Sequence, residues 1–472
     1  MAARSLQTQM AGVEVAGQNL ANVNTPGYSR QRVVIESNAP IVTSLGPVGT
    51  GASVQAIQQV VDTMLNGQIQ NQASQTGYWT AQQSALNSLQ TSLGEFLNSA
   101  ASTTATGAAT STSGLSDRLG AFFNALKSLA TTPASMPARQ AVIGAAQSLA
   151  TTIQQINTRL SSLHADLDTS LNNQVSSANQ LLTGIAGLNE QIANSETVGS
   201  GTANDLRDLR QQKLEELSKY LNYQSSTAAD GSVTVAVLSN SNQTLISGNQ
   251  VLNALKTATD PATGQLQVWT TANNNLLTGV SYGLTSGSLE GTVDARDGAL
   301  ATMHNSLDQL ASNVISQVNT LHSTGFNLAG GTGNVLFTGG NAAGIAVNQT
   351  IAVDVSLLQA SGTAGAEGDG SVALSLAQLA ASAQPALGNQ TFSGSYAQSV
   401  AQVGTALSNA NDQVSTQTAV AGMLASQRSS ISGVNIDEEM TTLMMFQRAY
   451  QASAHVVTTV DQMIQTLLAM KQ

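Results

Sequence analysis

Two amphipathic stretches, one at each end of a 472-residue chain, constrain its folding more than anything between them. Near the C-terminus, Leu443, Phe446, Tyr450, Ser453, Val457, Val460, Ile464 and Leu467 step alternately by three and four residues. That is a heptad seam with one small polar position. Asn435 or Asp437 can cap its start, and Asp437, Glu438 and Glu439 fall where the helix dipole favours negative charge. Lys471 falls near the other end. Met440, Met444, Ala454, Met463 and Met470 form a second stripe, which predicts more than one partner helix. The plainer alternative is an ordinary core helix at a chain end.

The N-terminal stretch follows the same logic, with Leu6, Met10, Val13, Gly17 and Leu20 on one seam. Gly17 costs about 1 kcal/mol of helix stability relative to Ala and would admit a neighbouring backbone. The helix must stop near Ala21 or Asn22, because Thr25 precedes Pro26 and is pushed to an extended conformation. Within Asn22-Val23-Asn24-Thr25-Pro26-Gly27-Tyr28, Pro26 and Gly27 suit the centre of a type II turn, Gly27 supplying the positive φ. Arg30 to Glu36 then reads as a strand or extended arm. Neither end can bury its apolar face alone, so the chain is expected to polymerise through its ends.

Between the ends, helical and β periods alternate. Residues 60–100 read as helix, 100–113 as a Ser/Thr/Ala link, and 115–130 as a short helix stopped before Pro133 and Pro137. Residues 139–194 carry the longest pattern: Leu149, Ile153, Ile156, Leu160, Leu163 and Leu167 keep a heptad. Leu171 and Val175 add a stutter, and Ala178, Leu182, Ile185 and Ile192 continue the stripe. One helix of that length spans roughly 80 Å; the alternative is a pair hinged near Gly184 or Gly187. Residues 201–222 read as a helix capped by Asn204 or Asp205. Val233, Val235 and Val237 then alternate as a half-buried strand, and Leu266–Thr270 is another. Helix resumes at Asp294 and runs to His322. Strands are expected at Val335–Thr338 and Ile351–Val355, and a last helix at 397–430.

The predicted fold is mainly α with β-rich insertions: terminal coiled-coil helices, a rod-like helical domain and outward β domains. The boundaries are 1–28 for the N-terminal helix and 432–472 for the C-terminal one. The helical domain takes 29–225, 291–325 and 397–431. The β-rich insertions are 226–290 and the Gly-rich 326–396.

Composition removes several function classes. There are no cysteines, which excludes disulfides and thiolate metal sites. The net charge of −11 argues against binding nucleic acid or anionic membrane. No run of 18 apolar residues predicts a membrane span, and no cleavable signal peptide is expected. His164, His304, His322 and His455 are dispersed, and none is read as having a second histidine or carboxylate at zinc-site spacing. Gly330-Gly331-Thr332-Gly333 lacks the strand-to-helix context of a phosphate loop, and Glu367-Gly368-Asp369-Gly370 has too few carboxylates for a calcium loop. Asp294 and Asp297 read as helix caps. No catalytic residue, cofactor site or metal site is therefore assigned, and the chain is not read as an enzyme.

Both terminal motifs resemble known signatures. Ala21-Asn22-Val23-Asn24-Thr25-Pro26-Gly27-Tyr28 is similar to the N-terminal signature of bacterial flagellar rod, hook and hook-associated proteins. Val434-Asn435-Ile436-Asp437-Glu438-Glu439-Met440 with Phe446–Ala454 resembles their C-terminal one. Gly114–Leu119, Phe122–Leu126, Ala138–Val142, Asn204–Arg210 and Gly291–Asp297 resemble the hook-associated protein 1 family, which joins hook to filament. Members usually carry several more residues before the stretch matching Ala2–Leu20. The resemblance implies terminal helices lining an axial tube and export through the flagellar type III channel to an extracellular position. The implied partners are further copies of the chain, the hook protein, a second junction protein or the filament side, and a cytoplasmic export chaperone at the C-terminal helix. A hook or rod protein is the alternative within the class; a secreted adhesin or hydrolase carried on the flagellum is the alternative outside it.

Overall fold

The computed structural model describes residues 2–44, 46–93, 114–197, 201–238, 243–271 and 284–470. The link at 100–113 and Lys471 lie outside them. In chain order the helices are α1 (Ala2–Ala21), α2 (Thr63–Leu93), α3 (Leu115–Thr131), α4 (Met136–Thr197), α5 (Asn204–Ser218), α6 (Ser288–Asp294), α7 (Ala301–His322), α8 (Gln349–Val353), α9 (Ser371–Gln378), α10 (Phe392–Ser432) and α11 (Ile436–Ala469). The fold is mainly helical with several small antiparallel sheets. Two compact units form, one from 1–78, 173–290 and 415–472, the other from 79–172 and 291–414.

In the first unit the chain leaves α1 into strands β1 (Gln31–Ser37) and β4 (Ala52–Gln59), which pair with a register shift between Val34 and Ile35; β2 (Ile41–Thr43) and β3 (Gly46–Val48) pair between them. The sequence pattern assigns this stretch to the helical domain, apart from an arm at 30–36. A β-branched run, Val33-Val34-Ile35, carries it into strands instead, pairing Val33 with Ile57 and Ile35 with Val54 across the ladder. Further on, β5 (Tyr223–Thr227), β6 (Val233–Val237), β7 (Thr244–Ser247) and β8 (Gln250–Val251) form a four-stranded antiparallel sheet, with Val233, Val235 and Val237 buried. Strands β9 (Leu255–Thr259) and β10 (Leu266–Thr270) make a hairpin that buries Trp269, whose indole N–H donates to the Ala258 carbonyl at 3.1 Å.

Helix α4 is a single helix without a break at Gly184 or Gly187. Pro137 sits in its first turn, where a missing N–H leaves no gap. Leu149, Ile153, Ile156, Leu160, Leu163, Leu171, Val175, Ala178, Leu182, Ile185 and Ile192 are all buried, so a continuous apolar stripe holds both glycines in helical conformation.

The second unit is built around α3, where Leu115, Leu119, Phe122, Leu126 and Leu129 form one buried face. Phe122 lies 5.2 Å from Phe123 and 5.6 Å from Phe337, and Phe123 stacks on Phe392 at 5.8 Å. Thus four of the seven phenylalanines meet in one cluster. Three buried polar groups are matched to partners. Among the described residues Arg139 has no carboxylate partner: it donates to the carbonyls of Pro133 at 2.7 Å and Leu358 at 2.5 Å, and burial lowers its pKa. His322 Nδ1 lies 2.8 Å from the Asn334 carbonyl and Nε2 accepts the Gln359 N–H at 3.0 Å. Arg296 bridges Asp168 at 2.6 Å and Asp297 at 2.7 Å.

Several expectations need correction. The helix expected from Asp294 starts at Ser288 and passes through a π-helical turn, Ala295–Leu300, into α7. Leu289 and Val293 are buried and extend the apolar stripe upstream, so Asp294 lies inside the helix and Asp297 serves Arg296. The strand expected at Ile351–Val355 is replaced by α8 and a 3₁₀ turn. The Asn348 side chain accepts from the Thr350 N–H and the Asp354 side chain from the Ser356 N–H, which favours helical turns over extension. Of the expected strand at Val335–Thr338, β11 (Phe337–Thr338) remains, paired with β12 (Ala346–Val347), so 326–396 is largely turns and short helices. Neither Asn204 nor Asp205 caps α5; both reach into the β1–β4 hairpin region. Two histidines do have a carboxylate four residues on, His164 with Asp168 and His304 with Asp308. Among the described residues no group of three possible ligands assembles.

One device recurs. Among the described residues, four helical asparagines each pair a side-chain amide with both the N–H and the C=O of one β-segment residue: Asn19 with Gln31, Asn179 with Leu255, Asn189 with Val233 and Asn319 with Phe337. The amide satisfies an edge that would otherwise be buried without partners. In a chain with only 9% charged residues, these clasps attach strands to helices where ion pairs are scarce.

Candidate functional site

The two terminal motifs meet in the first unit. Helix α1 ends at Ala21, and Asn22 folds its side chain back to donate to the Gln18 carbonyl at 3.0 Å. Thr25 Oγ1 donates to Asn22 Oδ1 at 3.1 Å, and the Tyr28 N–H returns to the Thr25 carbonyl at 3.2 Å. Gly27 has φ +78°, so Thr25–Tyr28 is a type II turn. A Cβ on Gly27 would also collide with the side chain of Gln212 on α5, whose amide donates to the Pro26 carbonyl at 2.5 Å. Asn24 is exposed.

Beside this turn lies a buried polar knot centred on Asn19. Its Oδ1 accepts from the Gln31 N–H and the Tyr28 hydroxyl, both at 2.9 Å. Its Nδ2 donates to the Gln31 carbonyl at 2.8 Å and to Glu439 Oε2 at 3.1 Å. All four hydrogen-bonding positions of this buried amide are used. Arg30 extends the knot to α11, 2.8 Å from Glu438 and 3.8 Å from Glu439. Gln31 Nε2 extends it to Asp205 on α5 at 3.1 Å. Burial pushes the Tyr28 phenol well above its ordinary value, helped by the charges of Asp205, Asp208 and Glu439. Sequence reasoning missed Asn19 and Gln31. The available signal was a polar residue on the same helical face as Gly12 and Ala16.

Helix α11 is capped by Asn435, whose side chain accepts from the N–H groups of Asp437 and Glu438. Asp437 and Glu438 are exposed at its first turn and Glu439 is buried. The α1–α11 pair runs antiparallel with a seven-residue repeat: Asn19 meets Glu439, Gly12 meets Phe446, and Ser5 Oγ lies 3.0 Å from Ser453 Oγ. Gly12 gives the close approach expected of Gly17: a Cβ on Gly12 would lie 2.6 Å from the Phe446 ring, whereas Gly17 has nothing within 4 Å.

The face α1 packs inward is Thr8, Gly12, Val15, Ala16 and Asn19, offset from the Leu6, Met10, Val13 and Leu20 seam. Small side chains let two helices approach, so they take the internal face and the larger residues stay half-buried or, at Met10, exposed. Leu443 and Phe446 are half-buried, whereas Tyr450, Val457, Val460, Ile464 and Leu467 are exposed. Every residue from His455 to Met470 is exposed.

Known proteins share these features. Residues 425–470 match the family described as flagellar basal body rod FlgEFG protein C-terminal, which sets the class as a flagellar axial protein. Residues 104–337 match the flagellar hook-associated protein FlgK helical domain. Flagellar hook-associated protein 1 of Bacillus subtilis (strain 168) is 28% identical over 99% of this chain and 96% of its own length. Its counterparts in Salmonella typhimurium and Escherichia coli K12 are each 24% identical over 98% of this chain and 98% and 97% of theirs. The solved structure of the flagellar hook junction protein FlgK from Burkholderia pseudomallei has the same fold, with a TM-score of 0.63, 16% identity, and coverage of 78% of this chain and 100% of that one. The chain belongs to the FlgK family of flagellar hook-associated proteins.

Proposed function

We propose that the chain is a structural subunit of the bacterial flagellum, forming the junction between hook and filament and polymerising through its terminal helices. The observation that carries this reading is the end of α11: Val457, Val460, Met463, Ile464, Leu467 and Leu468 are exposed on a helix whose earlier part is fastened to α1. An exposed heptad seam of this length is a surface for other helices. The wider seam on α1, with Met10 60% exposed, supplies a second such surface on the same pair.

In this reading the hook protein lies on one side and a second junction protein or the filament on the other. A cytoplasmic export chaperone reads the apolar face of α11 before assembly, as an amphipathic helix in a groove is read. The chain then leaves by the flagellar type III channel. Among the described residues no helix is long and apolar enough to cross a membrane. The role is structural and involves no catalysis.

Electron microscopy of a deletion strain tests the reading. Complete hooks without filaments are expected. Missing hooks would overturn it in favour of a hook or rod protein.

A further inference from the structure

The turn after α1 is fastened to α5 by one carboxylate. Ser29 donates twice to Asp208, from its N–H to Oδ2 at 3.0 Å and from Oγ to Oδ1 at 2.8 Å. Asp208 is 7% exposed. The arginines lining the same groove have other partners: Arg207 pairs with Glu196 at 2.7 Å, Arg210 donates to Asn189 and the Gly231 carbonyl, and Arg428 pairs with Glu215. The ionisable groups facing Asp208 are Asp205 on its own helix and Tyr28 from the turn, with Glu439 of α11 beyond Tyr28; Gln59 of β4 also touches it and does not titrate. A buried carboxylate, held only by neutral donors (Ser29 twice and the Gln59 side chain) beside a second carboxylate, is costly to keep ionised.

We propose that Ser29 and Asp208 form a proton-tightened latch, which holds the turn of the N-terminal motif against α5 more firmly as Asp208 takes up a proton. The inference stands independently of the junction reading. In the closed latch the neutral acid keeps two hydrogen bonds: its carbonyl oxygen accepts the Ser29 N–H, and its hydroxyl donates to Ser29 Oγ once that rotor turns. In the open latch the carboxylate returns to water. Burial, with a smaller push from the Asp205 charge, outweighs the hydrogen bonds from Ser29 and Gln59 and raises the Asp208 pKa to about 6 in the closed form. Protons therefore favour closure, and the latch loosens as pH rises through that value.

Hydrogen exchange of the Ser29 amide in the whole protein, corrected for intrinsic rates, tests this directly, with the Asn189-bound Val233 amide as reference. Protection at Ser29 is expected to fall about tenfold between pH 5 and 7.5 while Val233 stays constant. In Asp208→Asn, whose amide mimics the neutral acid with both bonds intact, protection is expected to be high and independent of pH. A flat or reversed profile in the wild type, or the same slope in Asp208→Asn, would overturn the latch. Should that variant fail to fold, the Asp208 carboxyl carbon titration in the wild type decides: a midpoint near 6 supports the latch and one near 4 removes it.

Discussion

The core of the second unit and the helix α11 contain similar aliphatic residues but use them oppositely. In the second unit, Leu149, Ile153, Leu160, Leu307, Val314 and Val318 are all buried, and the rings of Phe122, Phe123, Phe337 and Phe392 lie in contact. On α11, Ile464 is 50% and Leu467 66% exposed, although both continue the seam that begins at Leu443. Periodicity is the same in the two places, so it reports that an apolar face exists and not what covers it. The difference is in what comes next along the chain. The stripe of α4 is matched by the stripes of α3, α7 and α10 in a single hydrophobic cluster, whereas α1 supplies α11 with a face made of Thr8, Gly12, Ala16 and Asn19.

If the second unit is a self-sufficient core, acid should strike it at an identifiable point. His322 is fully buried, its Nδ1 turned to the Asn334 carbonyl and its Nε2 accepting from Gln359. Burial is the main cause that lowers its pKa from 6.5 to about 4, with the Arg139 charge adding to it. Between those values the unfolded chain binds a proton that the folded one refuses. This contribution is thus whole above pH 6.5 and is lost as pH falls toward 4, reaching about 3 kcal/mol. Calorimetric melting across that range should show the fall, with exchange at the C-terminal turn of α7 rising in step. Equal loss of protection in α11 at the same pH would erase the contrast between the regions.

A smaller effect sharpens the contrast inside the helix pair. Gly12→Ala places a methyl 2.6 Å from the Phe446 ring and should weaken the α1–α11 contact by about 1–3 kcal/mol. Gly17→Ala, on the same helix with open space around it, should raise helix stability by about 1 kcal/mol. Exchange protection of α1 amides measures both, and opposite signs are expected. If both variants behaved alike, the pair would not be held through Gly12.

Sequence reading reached the helices because their stripes are long; α4 and the heptad from Leu443 are visible without tertiary knowledge. It reached the Pro26–Gly27 turn because a positive φ leaves few residue choices. It did not reach the Asn19 knot, because the partners of one buried amide converge only in the fold: Gln31 and Tyr28 return to it through the turn after α1, and Glu439 comes from α11 at the other end of the chain. It mistook Asn204 for a cap because a capping asparagine and a clasping one are the same residue, separated only by where strands β1 and β4 pass. Ile351 has the β-branched side chain favoured in strands, but the Asn348 cap three residues before it decides for helix. Features fixed by local steric rules were legible. Those fixed by which partner a polar side chain takes, near or far along the chain, were not.

The smallest expected effect on folding is the most telling for assembly. Val457 lies one turn beyond Ser453, which hydrogen-bonds Ser5 of α1, and is 39% exposed on the predicted seam. In the isolated protein Val457→Asp keeps its carboxylate in reach of water, so its effect should stay within about 0.5 kcal/mol, as for other surface substitutions. In an assembly that covers this seam with neighbouring helices, the same carboxylate would be buried without a partner, at a cost of several kcal/mol. The expected phenotype is a protein that melts like the wild type, yet builds no junction and supports no motility. Calorimetry on the purified variant, set beside a filament count in cells complemented with it, separates the two halves. A large fall in melting temperature would show that this part of α11 already belongs to a core in the monomer. Normal filaments from a normally folded variant would show that the seam faces solvent even in the assembly, and the exposed half of the comparison would then need another purpose.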